Sequence, residues 1–316
     1  MIAVPVARIL RCECRIAGPP RPCGRLIAGE TERSIGRDDI VKSLFAHPGR
    51  IAVLLCAAVS TLALSACSQD EGGTVDGIQL VDADALTVCT HLPYKPFQFT
   101  DSSGEVVGFD VDLVKLLGDD LGVETNVIST DWNQITSGAV LAAGKCDLAM
   151  GGATITPKRR EAVLFSEPYF NATQALLVKK DSGYEGLEDL DGKRVGVQTD
   201  TTGAIYADKH AEEHGYTTVV FDDLSLETTA VSAGKIDAAI NDNGPLYQYA
   251  ADNPDTEIAA EFDTGENYGF LAKKDDENAQ KMIDRLNKLI AQAKEDGTYD
   301  EIFKKWFGQV PGDVNE

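Results

Sequence analysis

Two hydrophobic rhythms alternate along this chain from residue 86 onward. Short apolar runs of strand length recur at LTVCT (86–90), ETNVIS (124–129), KRVGVQ (193–198) and TTVVF (217–221). Between them, apolar residues fall at helical spacing. Val111, Val114, Leu117 and Leu121 share one face of a segment that Gly122 ends. Trp132 is expected to open a helix reaching Gly144. Ala279, Met282, Ile283, Leu286, Leu289, Ile290 and Ala293 predict a long amphipathic helix, broken by Gly297 before a last short one. Strand–helix alternation of this kind argues an α/β fold.

Two extended segments, 173–179 and 268–273, interrupt the alternation and read as crossings between two lobes. Residues 86–174 and 270–316 are then assigned to lobe one and 175–269 to lobe two, each a mostly parallel sheet flanked by helices. A two-strand connection makes a hinge, and hinge closure around a ligand is an established way for such lobes to work.

The most informative stretch is CDLAMGGATITPKRREAVLFSEPYF, 146–170. A short buried-strand run leads into Gly151 and Gly152, where a ligand or side chain can approach the backbone. Thr156 and Pro157 then suit the N-cap and first position of a helix, with Arg159 in the first turn. Backbone N–H groups and a guanidinium at one helix start form an anion site. Its lead-in recurs: LAAGKCDLAM at 141–150 and VSAGKIDAAI at 231–240 share A-G-K-x-D-x-A. The second copy ends in Asn241 and Asp242. Ligands of parallel α/β sheets bind beyond the carboxyl ends of the strands, so two such ends suggest two lobes facing one small ligand.

Composition narrows the function. With 29 basic and 51 acidic residues the net charge is −22, which argues against a nucleic-acid partner. Residues 51–66 carry no charge and follow Lys42 and Arg50, a run short for a membrane span and suited to a signal peptide. Residues 1–66 are read as an extension plus this signal, with translation starting at Val41 as one expectation. The run ends Leu64-Ser65-Ala66-Cys67, which resembles a bacterial lipobox and implies lipidation of Cys67. Residues 67–85, with SQDEGGTVDG directly after Cys67, read as a flexible tether. Residues 1–66 hold nine basic and five acidic residues, so 20 basic and 46 acidic residues remain beyond them. Cys89 and Cys146 are a candidate disulfide pair, although Cys89 falls late in one strand and Cys146 at the start of another. Two small buried thiols are the other reading. No Walker, Rossmann, G-x-S-x-G or H-E-x-x-H pattern is present, so no metal, cofactor or catalytic residue is expected.

Taken together, GFDVDLVKLLGDDLG, CDLAMGGATITPKRREAVLFSEPYF, LEDLDGKRVGVQTDTTG, AGKIDAAINDN and EDGTYDEIFKKWFG resemble the solute-binding proteins of polar amino-acid ABC importers. The resemblance spans about 86–310. It implies a two-lobed periplasmic-binding-protein-like fold of type II, and a lipoprotein on the outer face of a bacterial cytoplasmic membrane. It also implies a monomer that delivers a free polar amino acid to a permease and its ATPase. It assigns roles residue by residue. Tyr94 and Trp132 would wall the ligand. The carbonyls at Gly151 and Gly152 would meet its ammonium, together with Asp242. Thr154 and Arg159 would hold its carboxylate, joined from lobe two by Thr201 and Thr202. Taken singly, the aromatics also suit a core, and Asp242 and the threonines also suit helix caps.

One position departs from the pattern. His91 stands where related binders of cationic amino acids carry Asp, which leans the expectation toward glutamine or glutamate. A dehydratase of cyclohexadienyl compounds on the same fold, or a sensor module, is the rival reading.

Overall fold

The computed structural model describes residues 73–309. The signal segment, Cys67 and the Val41 start lie outside the described residues. Within them the chain builds two five-stranded sheets on the same plan.

The first sheet begins with β1 (Ala85–Thr90), buried along its whole length because helices cover both faces. Helix α1 (Phe109–Leu121) crosses to β2 (Glu124–Ser129), which pairs parallel with β1. The expected single helix from Trp132 is two: α2 (Trp132–Thr136) and α3 (Ala139–Ala142). Gly138 separates them at φ 73°, where a Cβ would lie 2.9 Å from Val163. Strand β3 (Leu148–Ala149) then pairs parallel with β1 on its other side. After α4 (Pro157–Ala162) comes β4 (Val163–Phe165).

The chain enters the second sheet through β5 (Phe170–Lys179), earlier than the expected crossing. There β6 (Arg194–Gln198), α5 (Thr202–His214), β7 (Thr217–Phe221), α6 (Leu224–Ser232) and β8 (Ala238–Asp242) repeat the parallel wind. Helix α7 (Asn243–Asp252) leads to β9 (Thr256–Tyr268), a 13-residue strand antiparallel to β5. Strand β10 (Leu271–Lys273) slots back between β3 and β4, and α8 (Glu277–Asp296) and α9 (Thr298–Phe307) close the first lobe.

The repeated A-G-K-x-D has a structural cause. Gly144 and Gly234 take left-handed φ of 65° and 66°, turning the chain after each helix. Each Asp then accepts from the first parallel strand of its own sheet, Asp147 from the Thr87 N–H at 2.8 Å and Asp237 from the Arg194 N–H at 2.9 Å. The motif is a latch between the third parallel strand and the first.

An aromatic cluster ties the hinge to the C-terminal helices. Phe97 packs edge-on against Phe170 of β5 at 4.9 Å, Tyr268 of β9 at 5.3 Å and Phe307 of α9 at 5.5 Å between ring centroids. Such contacts add to the gain from burial alone. Of the stretch expected as a tether, the described part, 73–85, is packed on the fold. Residues 74–75 and 78–79 form a small ladder, and Ile78 and Leu80 are buried in the core cluster that includes α8. The Asn278 side chain also pairs with the Gln79 N–H and carbonyl, each at 2.7 Å, which helps seat that segment.

Cys89 and Cys146 are joined as a disulfide, with Cα atoms 5.8 Å apart. The expected register conflict does not arise. Cys146 lies in the turn before β3 rather than on it, so strand pairing does not dictate where its side chain points.

Candidate functional site

The sheets meet at the carboxyl ends of their parallel strands. At the end of β3, Gly151 and Gly152 take φ of 155° and 56°. A Cβ on Gly151 would sit 2.9 Å from the Trp132 ring, and one on Gly152 would sit 2.7 Å from the Tyr94 ring. The two glycines are therefore the floor on which both aromatic walls rest. The Gly152 N–H is held at 3.0 Å by the buried carboxylate of Asp110 at the start of α1, which also accepts from the Tyr169 hydroxyl at 2.8 Å. Burial lifts the Asp110 carboxyl to about 7, and the donated hydrogen bonds from Gly152 and Tyr169 pull the other way.

The anion end is built from α4. Thr156 caps the helix by accepting from the Arg159 N–H at 3.1 Å, and Pro157 takes the first position. The cap aims Arg159 into the interface, where it is 8% exposed. Its guanidinium donates to the Thr154 carbonyl and to the Asp200 carbonyl, each at 2.9 Å, and lies over the Trp132 ring. Trp132 Nε1 donates to the same Asp200 carbonyl at 3.1 Å. Asp200 precedes α5, so these bonds join lobe one to lobe two. Burial lowers the Arg159 pKa, and the negative charge of Asp242 and Glu266 offsets this.

The acidic group of the cavity is Asp242, last residue of β8. It flanks α7 but makes no capping bond. Its carboxylate instead accepts from the Tyr94 hydroxyl at 2.7 Å, the Tyr268 hydroxyl at 2.5 Å and Gln174 Nε2 at 2.5 Å. Burial, and then the nearby charge of Glu266, lift its pKa to about 6 against those hydrogen bonds. Thr201 does cap α5, accepting from the Ala204 N–H at 3.1 Å, while the Thr202 hydroxyl turns to Glu266 at 2.7 Å. Thr154 donates to the same Glu266 oxygen at 2.8 Å.

All ten residues expected to bind ligand line a single cavity: His91, Tyr94, Trp132, Gly151, Gly152, Thr154, Arg159, Thr201, Thr202 and Asp242. Gln98 and Gln198 complete the lining. The cavity measures about 20 Å³, room for roughly one water, because the polar groups of the two lobes satisfy one another. At the side-chain end, His91 Nδ1 is spent on the Thr130 carbonyl at 3.1 Å. A carbonyl only accepts, so in the neutral ring Nε2 is left as an acceptor. Both His91 Nε2 and Gln98 Oε1 are buried without a hydrogen-bond partner.

Several residues escaped the sequence reading. Gln98, Gln174, Glu266 and Tyr268 carry no motif. Gln174 and the Glu266–Tyr268 pair sit on the crossing strands; the antiparallel pairing of β5 with β8 sets Gln174 opposite Asp242, and that of β9 with β5 brings up Glu266 and Tyr268. Asp110 was detectable in principle, as an acid on the apolar face of α1.

Residues 86–309 match the model of the bacterial extracellular solute-binding proteins, family 3, and the chain belongs to that family. The arginine-binding extracellular protein ArtP of Bacillus subtilis (strain 168) is 33% identical over 263 residues, covering 81% of this chain and 96% of its own. The glutamine-binding protein GlnH of the same organism is 34% identical, covering 67% of this chain and 77% of its own. Among solved structures, an ancestral arginine-binding protein bound to arginine aligns at TM-score 0.65 and 38% identity, covering 71% of this chain and 99% of its own.

Proposed function

We propose that this protein is the extracytoplasmic binding lipoprotein of an ABC importer that captures a free polar amino acid. The observation that carries this reading is that a buried guanidinium, Arg159, and a buried carboxylate, Asp242, line one cavity between the two lobes. A zwitterion needs a cationic fork with N–H donors at one end and an acid with carbonyls at the other. Either group left buried and unpaired is costly, so the same pair rejects ligands lacking a carboxylate or an ammonium.

The mechanism is capture without chemistry. The lobes part about β5 and β9, and the bonds from Trp132 and Arg159 to Asp200 and from Tyr94 to Asp242 are released. The amino acid docks between Tyr94 and Trp132 on lobe one, its carboxylate on Arg159 and Thr154. Closure brings Thr201, Thr202 and Asp242 onto it, and the closed form is what a permease would recognise. The ligand favours closure only by binding that form better.

Of the two side chains expected, glutamine and glutamate, we favour glutamine. His91 Nε2 and Gln98 Oε1 are two unsatisfied acceptors, which suit the NH₂ of an amide and repel a carboxylate. The same pair also suits a planar guanidinium, and relatives carry arginine in their names, so arginine is the second reading. Anchoring through Cys67, a monomeric state and the absence of catalysis belong to the same proposal. No helix among the described residues is long and apolar enough to cross a membrane.

The test is thermal unfolding of purified protein with each of the twenty amino acids, cystine and ornithine. Ligand at a thousand times its dissociation constant stabilises by about 4 kcal/mol, a shift of several degrees. Arg159→Ala should abolish the shift, because it strips the carboxylate of its charged partner. An unchanged shift in that variant would refute the assignment, and turnover of prephenate or arogenate would favour the enzyme reading.

A further inference from the structure

Helix α5 ends in His210-Ala211-Glu212-Glu213-His214, remote from the cavity. The chain has four histidines, so two of them fall one helical turn apart in this single run. Residues at i and i+4 share a helix face, and i+3 lies beside them. One nitrogen from each imidazole and one Glu213 oxygen all lie within 4.8 Å of one another. His210 Nδ1 and Glu213 Oε2 are 3.7 Å apart, too far for a hydrogen bond, so neither group is committed to the other.

The neighbours hold one ligand and leave the others free to adjust. The His210 ring packs on Tyr206 at 4.6 Å between centroids, and Tyr206 stacks on Phe262 of β9 at 5.0 Å. Glu213 is 73% exposed and can swing in. Around a tetrahedral ion at ordinary bond lengths the ligand atoms stand about 3.4 Å apart, so only side-chain rotation is required. Glu212, next in the chain, adds negative charge nearby, and the site lies at the helix end whose dipole favours a cation.

We propose that His210, Glu213 and His214 form a surface site for a divalent transition-metal ion. Two imidazoles and one carboxylate suit Zn²⁺, Ni²⁺ or Cu²⁺ and not Mg²⁺ or Ca²⁺. The chain lacks H-E-x-x-H, but the run here is H-x-x-E-H, which presents the same groups in another order. The site and the Thr201–Thr202 end of α5 are some 18 Å apart along the helix, so an ion here does not compete with a ligand in the cavity.

The test is calorimetric titration of chelator-treated protein with Zn²⁺ and Ni²⁺, comparing wild type with His210→Ala/His214→Ala. Cysteines in the N-terminal segment can bind zinc by themselves, so the decisive quantity is the difference between the two proteins. The wild type should bind one further equivalent, and its Cu²⁺ complex should show nitrogen splitting that the variant lacks. Glu213→Gln should weaken that equivalent several-fold. The variant also loses the His210 packing on Tyr206, so its metal-free unfolding temperature should fall slightly, and the rise on adding Zn²⁺ should be seen in the wild type and be smaller in the variant. Equal stoichiometry and affinity in the two, or a copper spectrum unchanged by the double substitution, would overturn the site.

Discussion

The Tyr94 hydroxyl donates to Asp242 Oδ2 at 2.7 Å, joining the aromatic wall of one lobe to the carboxylate of the other. The bond occupies the carboxylate that is proposed to receive the ligand ammonium. Tyr94 is thus both a wall of the site and a competitor for it.

Tyr94→Phe separates these roles. It keeps the ring and removes the donor, leaving Asp242 with Tyr268 and Gln174. A hydrogen bond to a charged group contributes about 1.5–3 kcal/mol. The ligand-free variant should lose about that much stability in urea, whereas its affinity for the ligand should hold or rise. A large loss of affinity would mean that the hydroxyl contacts the ligand itself.

Ligand affinity should depend on pH through Asp242. Its pKa is raised to about 6, chiefly by burial and then by Glu266. Above that pH the carboxylate is ready for an ammonium; below it, binding must first expel a proton. The dissociation constant should be level above pH 7 and rise up to about tenfold per unit below 6. The same shift acts on folding in the opposite direction. The folded state keeps this proton between the ordinary carboxyl range and pH 6, so the contribution of Asp242 to ligand-free stability declines as pH rises through that window. Calorimetry at pH 5 and 7.5 measures the first effect and urea unfolding the second.

Glu227 offers a cleaner case because it lies outside the cavity. It is fully buried on α6, accepts from Asn241 Nδ2 at 2.9 Å, and burial lifts its pKa to about 8. The unfolded chain loses this proton near pH 4.5, so stability falls from there up to pH 8 and then levels. Glu227→Gln keeps the acceptor and cannot ionise. It should stabilise by a few kcal/mol at pH 9 and hardly at all at pH 4. An equal effect at both pH values would show that ionisation is not the cause.

The disulfide gives a fourth expectation. It links residues 57 apart in the chain, and closing a loop of that size stabilises by about 2–4 kcal/mol. Cys89→Ser with Cys146→Ser, or reduction of the native protein, should lower the unfolding midpoint with little change in ligand affinity. The pair lies in the cluster behind Trp132 rather than in the cavity lining.

The local order of this chain was written in its sequence. Helical spacing placed α1 and α8, the cap Thr156 with Pro157 placed α4 and aimed Arg159, and the doubled A-G-K-x-D revealed two lobes on one plan. These features depend on neighbours a few residues apart, where side-chain periodicity and backbone capping act directly. The family resemblance added the remaining site residues, and the structure gathers all of them around one cavity. What only the tertiary structure decided lies across long separations. The antiparallel pairing of β5 with β8 and of β9 with β5 brings Gln174, Glu266 and Tyr268 beside Asp242, residues that no local pattern marks. It is also there that burial and the Glu266 charge raise the Asp242 pKa. The split at Gly138 and the freedom of Cys146 from strand register have the same origin. Each depends on what a residue packs against, and a hydrophobic pattern records that a side chain is buried but not which partner buries it.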